Sequence, residues 1–238
     1  MPDKGSVYVL SGATSDIGRA IAVRLARSGR LVAALGRNEA VLASLQREAP
    51  DRIHTHCVDL TDDAAVTKFA GDIVGSAQPM AALIHCAGVH YVGAIETAAV
   101  TEMDLMYRAN VHAPYVLSQL LIPALARAKG HVIFVNSTAG LRARPNLAGY
   151  SASQHSLRVL ADALRDEVNM QGIRVTSIYL GRTATKRIAK LFNAERKVFN
   201  PALLLQPDDV AESVLYALSL PATAEVVDLT IRPAIKSY

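Results

Sequence analysis

Residues 7–10 form an apolar run that leads straight into Ser11, Gly12, Ala13, Thr14, Ser15, Asp16, Ile17 and Gly18, followed by an amphipathic stretch over residues 19–27. That order reads as a buried strand, a glycine-bearing turn and a helix. A strand that hands over to a helix pairs in parallel with the next strand, because the crossover returns the chain to the same end of the sheet. The pattern then recurs. Residues 31–35 read as a second strand ended by Gly36, and residues 39–48 as a helix capped by Asn38. Residues 53–58 give a third strand, 62–75 a helix, and 81–85 a fourth strand stopped at Ala87 and Gly88. Helices from Glu102 and over 114–128 precede a strand at 131–135; a long helix over 147–170 precedes a strand at 174–179. Residues 182–206 read as a loop, 208–218 as a helix and 225–231 as a last strand. About seven strands separated by helices predict an α/β fold: a doubly wound parallel sheet with helices on both faces and ligands beyond the carboxyl ends of the strands.

A chain of 238 residues, 51% hydrophobic and free of low-complexity tracts, buries one sizeable core, so residues 1–238 read as a single domain. The 25 basic and 21 acidic side chains are interspersed, so the net charge of +4 forms no basic stripe and argues against nucleic acid. Cys57 and Cys86 lie in apolar strand-like segments without CxxC spacing, which favours reduced, buried thiols and a cytoplasmic protein. His85, His90 and His112 stand near strand ends without metal-ligand spacing, so no metal is expected. No signal peptide precedes the first apolar run, and no run approaches the roughly 20 residues of a membrane helix. No membrane partner is expected.

The first two turns suit a dinucleotide. Gly12 and Gly18 let backbone amides approach a pyrophosphate at the positive end of a helix, although the same turn also serves as a plain connection. Asp16 can cap that helix; beside a pyrophosphate its carboxylate has to turn away. After the second strand stand Gly36, Arg37 and Asn38. An acid at this place binds the ribose hydroxyls of NAD, whereas an arginine accommodates the extra phosphate of NADP. Arg37 therefore favours NADP(H) over NAD(H), against its reading as a solvated loop residue. Asp59, with Leu60 beyond it, either reaches an adenine or caps the end of the third strand. Tyr150 and Gln154, four residues apart, share one face of the long helix, with Ser137 upstream after a strand. A free phenol has a pKa of about 10 and needs a nearby cation to give up its proton near neutrality. Gln154 offers an amide where that cation is wanted.

Together these segments resemble the short-chain dehydrogenase/reductase family over residues 7–231. The family's TGxxxGIG is similar to Ser11 through Gly18, with Ser11 for threonine and Asp16 for the middle glycine; its NNAG resembles His85, Cys86, Ala87 and Gly88. Its PGxxxT is similar to Leu180, Gly181, Arg182, Thr183, Ala184 and Thr185. Its active-site asparagine, serine and tyrosine resemble Asn110, Ser137 and Tyr150, and the lysine of its YxxxK falls on Gln154. The resemblance implies a single-domain Rossmann-like fold that holds NADP(H) through Gly12, Thr14, Ser15, Asp16, Ile17, Gly18, Arg37, Asn38, Asp59, Leu60, Cys86, Ala87, Gly88, Tyr150, Gln154, Gly181, Thr183 and Thr185. It also implies an oxidoreductase that interconverts a ketone and a secondary alcohol: Tyr150 gives a proton to the substrate oxygen, Ser137 hydrogen-bonds it, and Asn110 holds a water of the proton relay. Gln154 interrupts that relay at a cost of roughly 2 to 4 kcal/mol, unless Arg182 or Lys186 supplies the charge.

Two other readings stay open: a non-redox enzyme using Tyr150 and Ser137 for dehydration, isomerisation or cyclisation, and an NADPH-binding regulator without turnover. Specificity falls to loops 91–96, 141–146 and 182–200, with Tyr91 and Arg142 as candidate substrate contacts. Arg144, Lys186, Arg187, Lys190, Arg196 and Lys197 make the mouth basic, which suits an anionic small-molecule substrate or is ordinary solvated surface. Helices 112–128 and 148–170 keep apolar residues beyond one face, and the family assembles through these helices, so a homodimer or homotetramer is expected.

Overall fold

The computed structural model describes residues 5–235. β1 (Val7–Ser11) is buried at every position, with Val7 and Val9 on one face of the sheet and Tyr8 and Leu10 on the other. It leads through the glycine turn into α1 (Asp16–Arg27). β2 (Leu31–Gly36), α2 (Glu39–Gln46), β3 (Ile53–Cys57) and α3 (Asp63–Gly75) follow, with Asn38 capping α2 by accepting from Val41 N. After β4 (Met80–His85) come α4 (Val100–Tyr107) and α5 (Ala113–Ala128), joined by a π turn over Arg108–His112. β5 (His131–Ser137), α6 (Ala148–Val168), β6 (Arg174–Leu180), α7 (Lys186–Ala194), α8 (Pro207–Ser219) and β7 (Asp228–Ile231) complete the order.

All seven strands pair in parallel in the order β3-β2-β1-β4-β5-β6-β7. On one face Val9, Leu35, Leu83 and Phe134 pack against Phe69 of α3, Leu117 and Leu121 of α5, and Leu157 of α6. On the other, Leu10, Val32, Ile84 and Ile178 pack against Ile21 and Leu25 of α1 and Val210 and Val214 of α8. Leu10 and Ile21 are wholly buried, so cutting either to alanine costs about 2–5 kcal/mol. The strand order reverses between β1 and β4. A crevice therefore opens at their carboxyl ends, where helices leave the sheet on opposite faces.

Several boundaries differ from the expectation. α4 begins at Val100 rather than Glu102. Residues 182–206 are not a loop throughout, since they contain α7 and a 3-10 turn at Pro201–Leu203. Thr185 caps α7 by accepting from Ile188 N at 3.2 Å, and Leu191 and Phe192 bury its inner face. The last strand covers only Asp228–Ile231, because the Glu225 carboxylate takes Val175 N and the Val226 carbonyl takes the Thr176 hydroxyl before ladder pairing begins. Cys57 is exposed rather than buried: it ends β3, the edge strand, and its thiol meets only the Arg37 carbonyl at 3.7 Å. Cys86 is half-buried, and both cysteines are free thiols. Among the described residues no helix is long and apolar enough to cross a membrane.

Candidate active site

The crevice floor is the glycine turn. Gly12 has φ of 72°, and a Cβ there would lie 2.6 Å from both Cα and N of Ala87. The end of β1 and the start of the segment after β4 are thus in backbone contact. Ser11 Oγ accepts from Cys86 N at 3.2 Å and Ala87 N at 3.3 Å, fixing that contact. Ser15, not Asp16, caps α1: its hydroxyl accepts from Gly18 N at 3.0 Å and donates to Gly12 O at 2.8 Å. Asp16 instead reaches across the crevice, where its carboxylate accepts from Lys186 N at 2.8 Å. These contacts make a turn at a helix N-terminus whose close backbone approach only glycine at position 12 allows, and it fits a dinucleotide pyrophosphate.

From this floor a cavity of about 610 Å³ runs between β5, α6 and α7. Ser137, the last residue of β5, and Tyr150, in the first turn of α6, both line it, and Gln154 lies one helical turn further on. Asn136 sets the spacing of the two elements. Its Nδ2 donates to the Gln154 carbonyl at 3.2 Å, and its Oδ1 accepts from Ser137 N at 2.6 Å. Gly140 lets the segments approach, since a Cβ there would stand 2.8 Å from both Asn136 Oδ1 and Gln154 O. The Tyr150 ring meets His90 edge-on at 4.5 Å between centroids. Burial pushes the Tyr150 phenol above its ordinary value, opposed by the charge of Arg187 and by a hydrogen bond with Ser137. Burial and the Arg187 charge hold His90 down at about 4, so its ring is neutral at pH 7. Burial raises the Cys86 thiol to about 11.

Asn110 sits behind the cavity wall rather than on it. It occupies the π turn, where an extra residue turns its side chain inward, and it is 1% exposed. Its amide pairs with both backbone groups of Val89, Oδ1 accepting from N at 2.8 Å and Nδ2 donating to O at 2.9 Å, and Nδ2 also donates to Ser153 Oγ at 3.0 Å. Ser153 in turn donates to the Tyr150 carbonyl at 2.8 Å. The loop after β4 is thereby tied to the turn of α6 that carries the phenol.

Of the residues expected around a nucleotide, Thr14, Ser15, Asp16, Ile17, Cys86, Ala87, Gly88, Tyr150, Gln154, Gly181, Thr183 and Thr185 line the cavity. Gly12 and Gly18 underlie the turn, while Arg37, Asn38, Asp59 and Leu60 flank it at the ends of β2 and β3, off the cavity wall. Asp59 acts as a turn cap, accepting from Thr61 N at 2.9 Å and from the Thr61 hydroxyl at 2.8 Å. Arg144, Lys186, Arg187 and Lys197 line the mouth with Asp16 and Glu195; Lys190, Arg196, Tyr91 and Arg142 do not. Arg182 also lines the cavity but is committed, donating to Glu195 at 2.5 Å with its guanidinium 4.6 Å from the Phe192 ring centre. Sequence reasoning misses His90, Asn136 and Ser153. No local signal marks His90, because only the fold brings its ring onto Tyr150.

A family model described as short chain dehydrogenase matches residues 6–196. The glycine betaine reductase ATRR of Emericella nidulans is 36% identical, over 98% of this chain but 19% of its own length, so the chain spans about a fifth of that relative. An uncharacterized oxidoreductase of Staphylococcus saprophyticus is 30% identical, over 95% of this chain and 97% of its own. The solved structure of a metagenomic short-chain oxidoreductase in complex with NADP is 27% identical and superposes with a TM-score of 0.83 over 98% of each chain.

Proposed function

The chain belongs to the short-chain dehydrogenase family of oxidoreductases, and on that premise we propose that it interconverts a ketone and a secondary alcohol with NADP(H) in preference to NAD(H). One observation carries the reading: Tyr150 and Ser137 line the same cavity as the glycine turn and Gly88. NADPH supplies the hydride when bound. The proton comes from Tyr150, whose O–H bond breaks as the substrate oxygen gains its hydrogen, while Ser137 holds that oxygen by a hydrogen bond. Asn110 keeps the Val89 backbone and the Tyr150 turn in register. Gly12, Gly18 and the amides of Thr14 to Ile17 receive the pyrophosphate, with Cys86, Ala87, Gly181, Thr183 and Thr185 along the rest of the groove. Arg37 and Asn38, standing where an NAD enzyme carries its acid, favour the extra phosphate of NADP, and Asp59 and Leu60 border the adenine. The NADP complex of the metagenomic relative supports this preference.

Gln154 stands in this reading where the family carries its lysine. Its side chain can hydrogen-bond a ribose but brings no charge to the phenol. The basic mouth, five cationic side chains against two carboxylates on the cavity wall, supports an anionic carbonyl substrate covered by residues 182–206 with α7 among them. Exposed Met103 and Leu105 on α4, Tyr115 on α5 and Val159 on α6 support a homodimer or homotetramer. The free thiols suit the cytoplasm.

Calorimetric titration with NADPH and NADH tests the cofactor, and NADPH oxidation over a panel of neutral and carboxylate-bearing ketones tests the reaction. Tight NADPH binding, weaker NADH binding and turnover abolished by Tyr150→Phe are expected. Failure to bind either dinucleotide sinks the proposal. A second reading, an NADPH-binding regulator, draws on the raised Tyr150 pKa beside an uncharged Gln154; it predicts binding without turnover on any ketone.

A further inference from the structure

Proton donation by Tyr150 needs a cation, and position 154 holds none. We propose that Arg187, carried in from α7, is the charge that serves Tyr150 in place of one on α6. This rests on Tyr150 being the proton donor. Arg187 acts through the phenol, so it is a positioning residue rather than a catalytic one.

The geometry places its guanidinium on the right wall. Arg187 Nη2 donates to the Gly88 carbonyl at 2.7 Å, and two residues further on His90 lays its ring on Tyr150 at 4.5 Å. Arg187, Gly88, His90, Tyr150 and Gln154 all line one cavity. Among the described residues no carboxylate pairs with Arg187, whereas Arg19, Arg24, Arg108 and Arg182 each pair with an acid. Its side chain, on an exposed residue, thus brings to the cavity wall a charge that no carboxylate neutralises. Three ties hold α7 so that this charge stays in place: Asp16 accepts from Lys186 N at 2.8 Å, Thr185 caps the helix, and Ala184 N donates to Leu205 O at 2.7 Å.

The other groups around the phenol leave this role to Arg187. His90 is neutral at pH 7, Cys86 is a protonated thiol, Ser137 and Gln154 carry no charge, and of Asp16, Arg144, Arg182, Lys186, Arg187, Glu195 and Lys197 on the cavity wall it is the Arg187 charge that bears on Tyr150. The Arg187 charge opposes the upward push of burial on Tyr150 and Cys86 and adds to the downward push on His90, as expected of a cation near the three. An opposite charge within about 4–6 Å of an acid moves its pKa by about 1 to 3 units, and on Tyr150 that pull works against the larger upward push of burial.

The chain has 8 tyrosines and no tryptophan, so phenolate absorbance can be titrated without indole interference. Subtracting the titration of Tyr150→Phe from that of the cofactor-free protein isolates Tyr150. Arg187→Met should raise its titration by about one unit or more, and Arg187→Lys should restore most of the shift. Adding Gln154→Lys to Arg187→Met should also restore it, by returning a cation to α6. The alkaline limb of kcat/KM should move with the titration. An unmoved Tyr150 titration in Arg187→Met, with weaker NADPH binding at every pH, would overturn the proposal and make Arg187 a cofactor anchor. Full turnover by Tyr150→Phe would instead sink the proton-donor reading, whatever Arg187 does to the titration.

Discussion

Alanine at Gly12 and alanine at Gly29 separate two costs that a left-handed glycine usually hides. Both residues have positive φ, 72° and 85°. A Cβ at Gly29 has nothing within 4 Å, so Gly29→Ala carries backbone strain alone, about 1 to 2 kcal/mol. A Cβ at Gly12 meets Cα and N of Ala87 at 2.6 Å and the Cys86 carbonyl carbon at 2.8 Å, well inside van der Waals contact. The neighbours are backbone and cannot rotate away. Relief needs the segment after β4 to move by most of an ångström, which also strains the hydrogen bonds from Cys86 N and Ala87 N to Ser11 Oγ. Losing both adds roughly 1 to 3 kcal/mol, so with the backbone strain Gly12→Ala should cost about 2 to 5 kcal/mol in all. In a domain of this size 1 kcal/mol shifts Tm by roughly 2–4 °C. Scanning calorimetry should then show a drop of a few degrees for Gly29→Ala and of about 10 °C for Gly12→Ala. NADPH titration should show binding kept by the first variant and lost by the second. Equal Tm losses, or intact NADPH binding by Gly12→Ala, would refute the claim that this contact shapes the nucleotide cradle.

Acid should destabilise the fold through its buried histidines. Burial depresses His85 and His131 to about 3, against about 6.5 unfolded. Both are therefore neutral when folded and protonated when unfolded between those values, so their contribution is complete above pH about 6.5 and is lost progressively as pH falls toward about 3. By pH about 4.5 the two together remove roughly 5 kcal/mol, and urea midpoints that stay level from pH about 6.5 to about 4.5 would contradict this. The outer faces of α4, α5 and α6 should bury Tyr115 and Val159, 53% and 66% exposed in the single chain, against a second copy. Light scattering should give a dimer or tetramer for the native chain and the 25.4 kDa monomer for Tyr115→Glu combined with Val159→Glu; a native monomer rejects the assembly.

Features that depend on residues close along the chain are legible in the sequence. The strand, glycine turn and helix at 7–27 are local, and the Asn38 cap lies within one helical turn of the amide it satisfies. The residues flanking the crevice are legible too, because their motifs are short. α7 escapes a sequence reading although Ile188, Leu191 and Phe192 carry the i, i+3, i+4 spacing of a buried helical face; Lys186, Arg187 and Lys190 around them read as a solvated loop. Cys57 reads as buried because apolar neighbours show that a strand exists but not that it lies at the sheet edge. Asn110 stands out as a candidate, yet its partners Val89 and Ser153 follow from a π turn that no residue pattern announces.

The electrostatics of the site are set by contacts of the longest range. Arg182 and Lys186 are the cations a linear reading brings to the phenol, being the first beyond the Gly181 turn. The fold commits Arg182 to Glu195 and Phe192, and it fastens the Lys186 backbone to Asp16, 170 residues away. With residue 186 held there, the next side chain, Arg187, projects to Gly88 on the wall that carries Tyr150. The acid at 16 and the cation at 187 are therefore linked. The first anchors the helix that carries the second onto the wall shared with Tyr150, and the proposed role of Arg187 rests on that anchor.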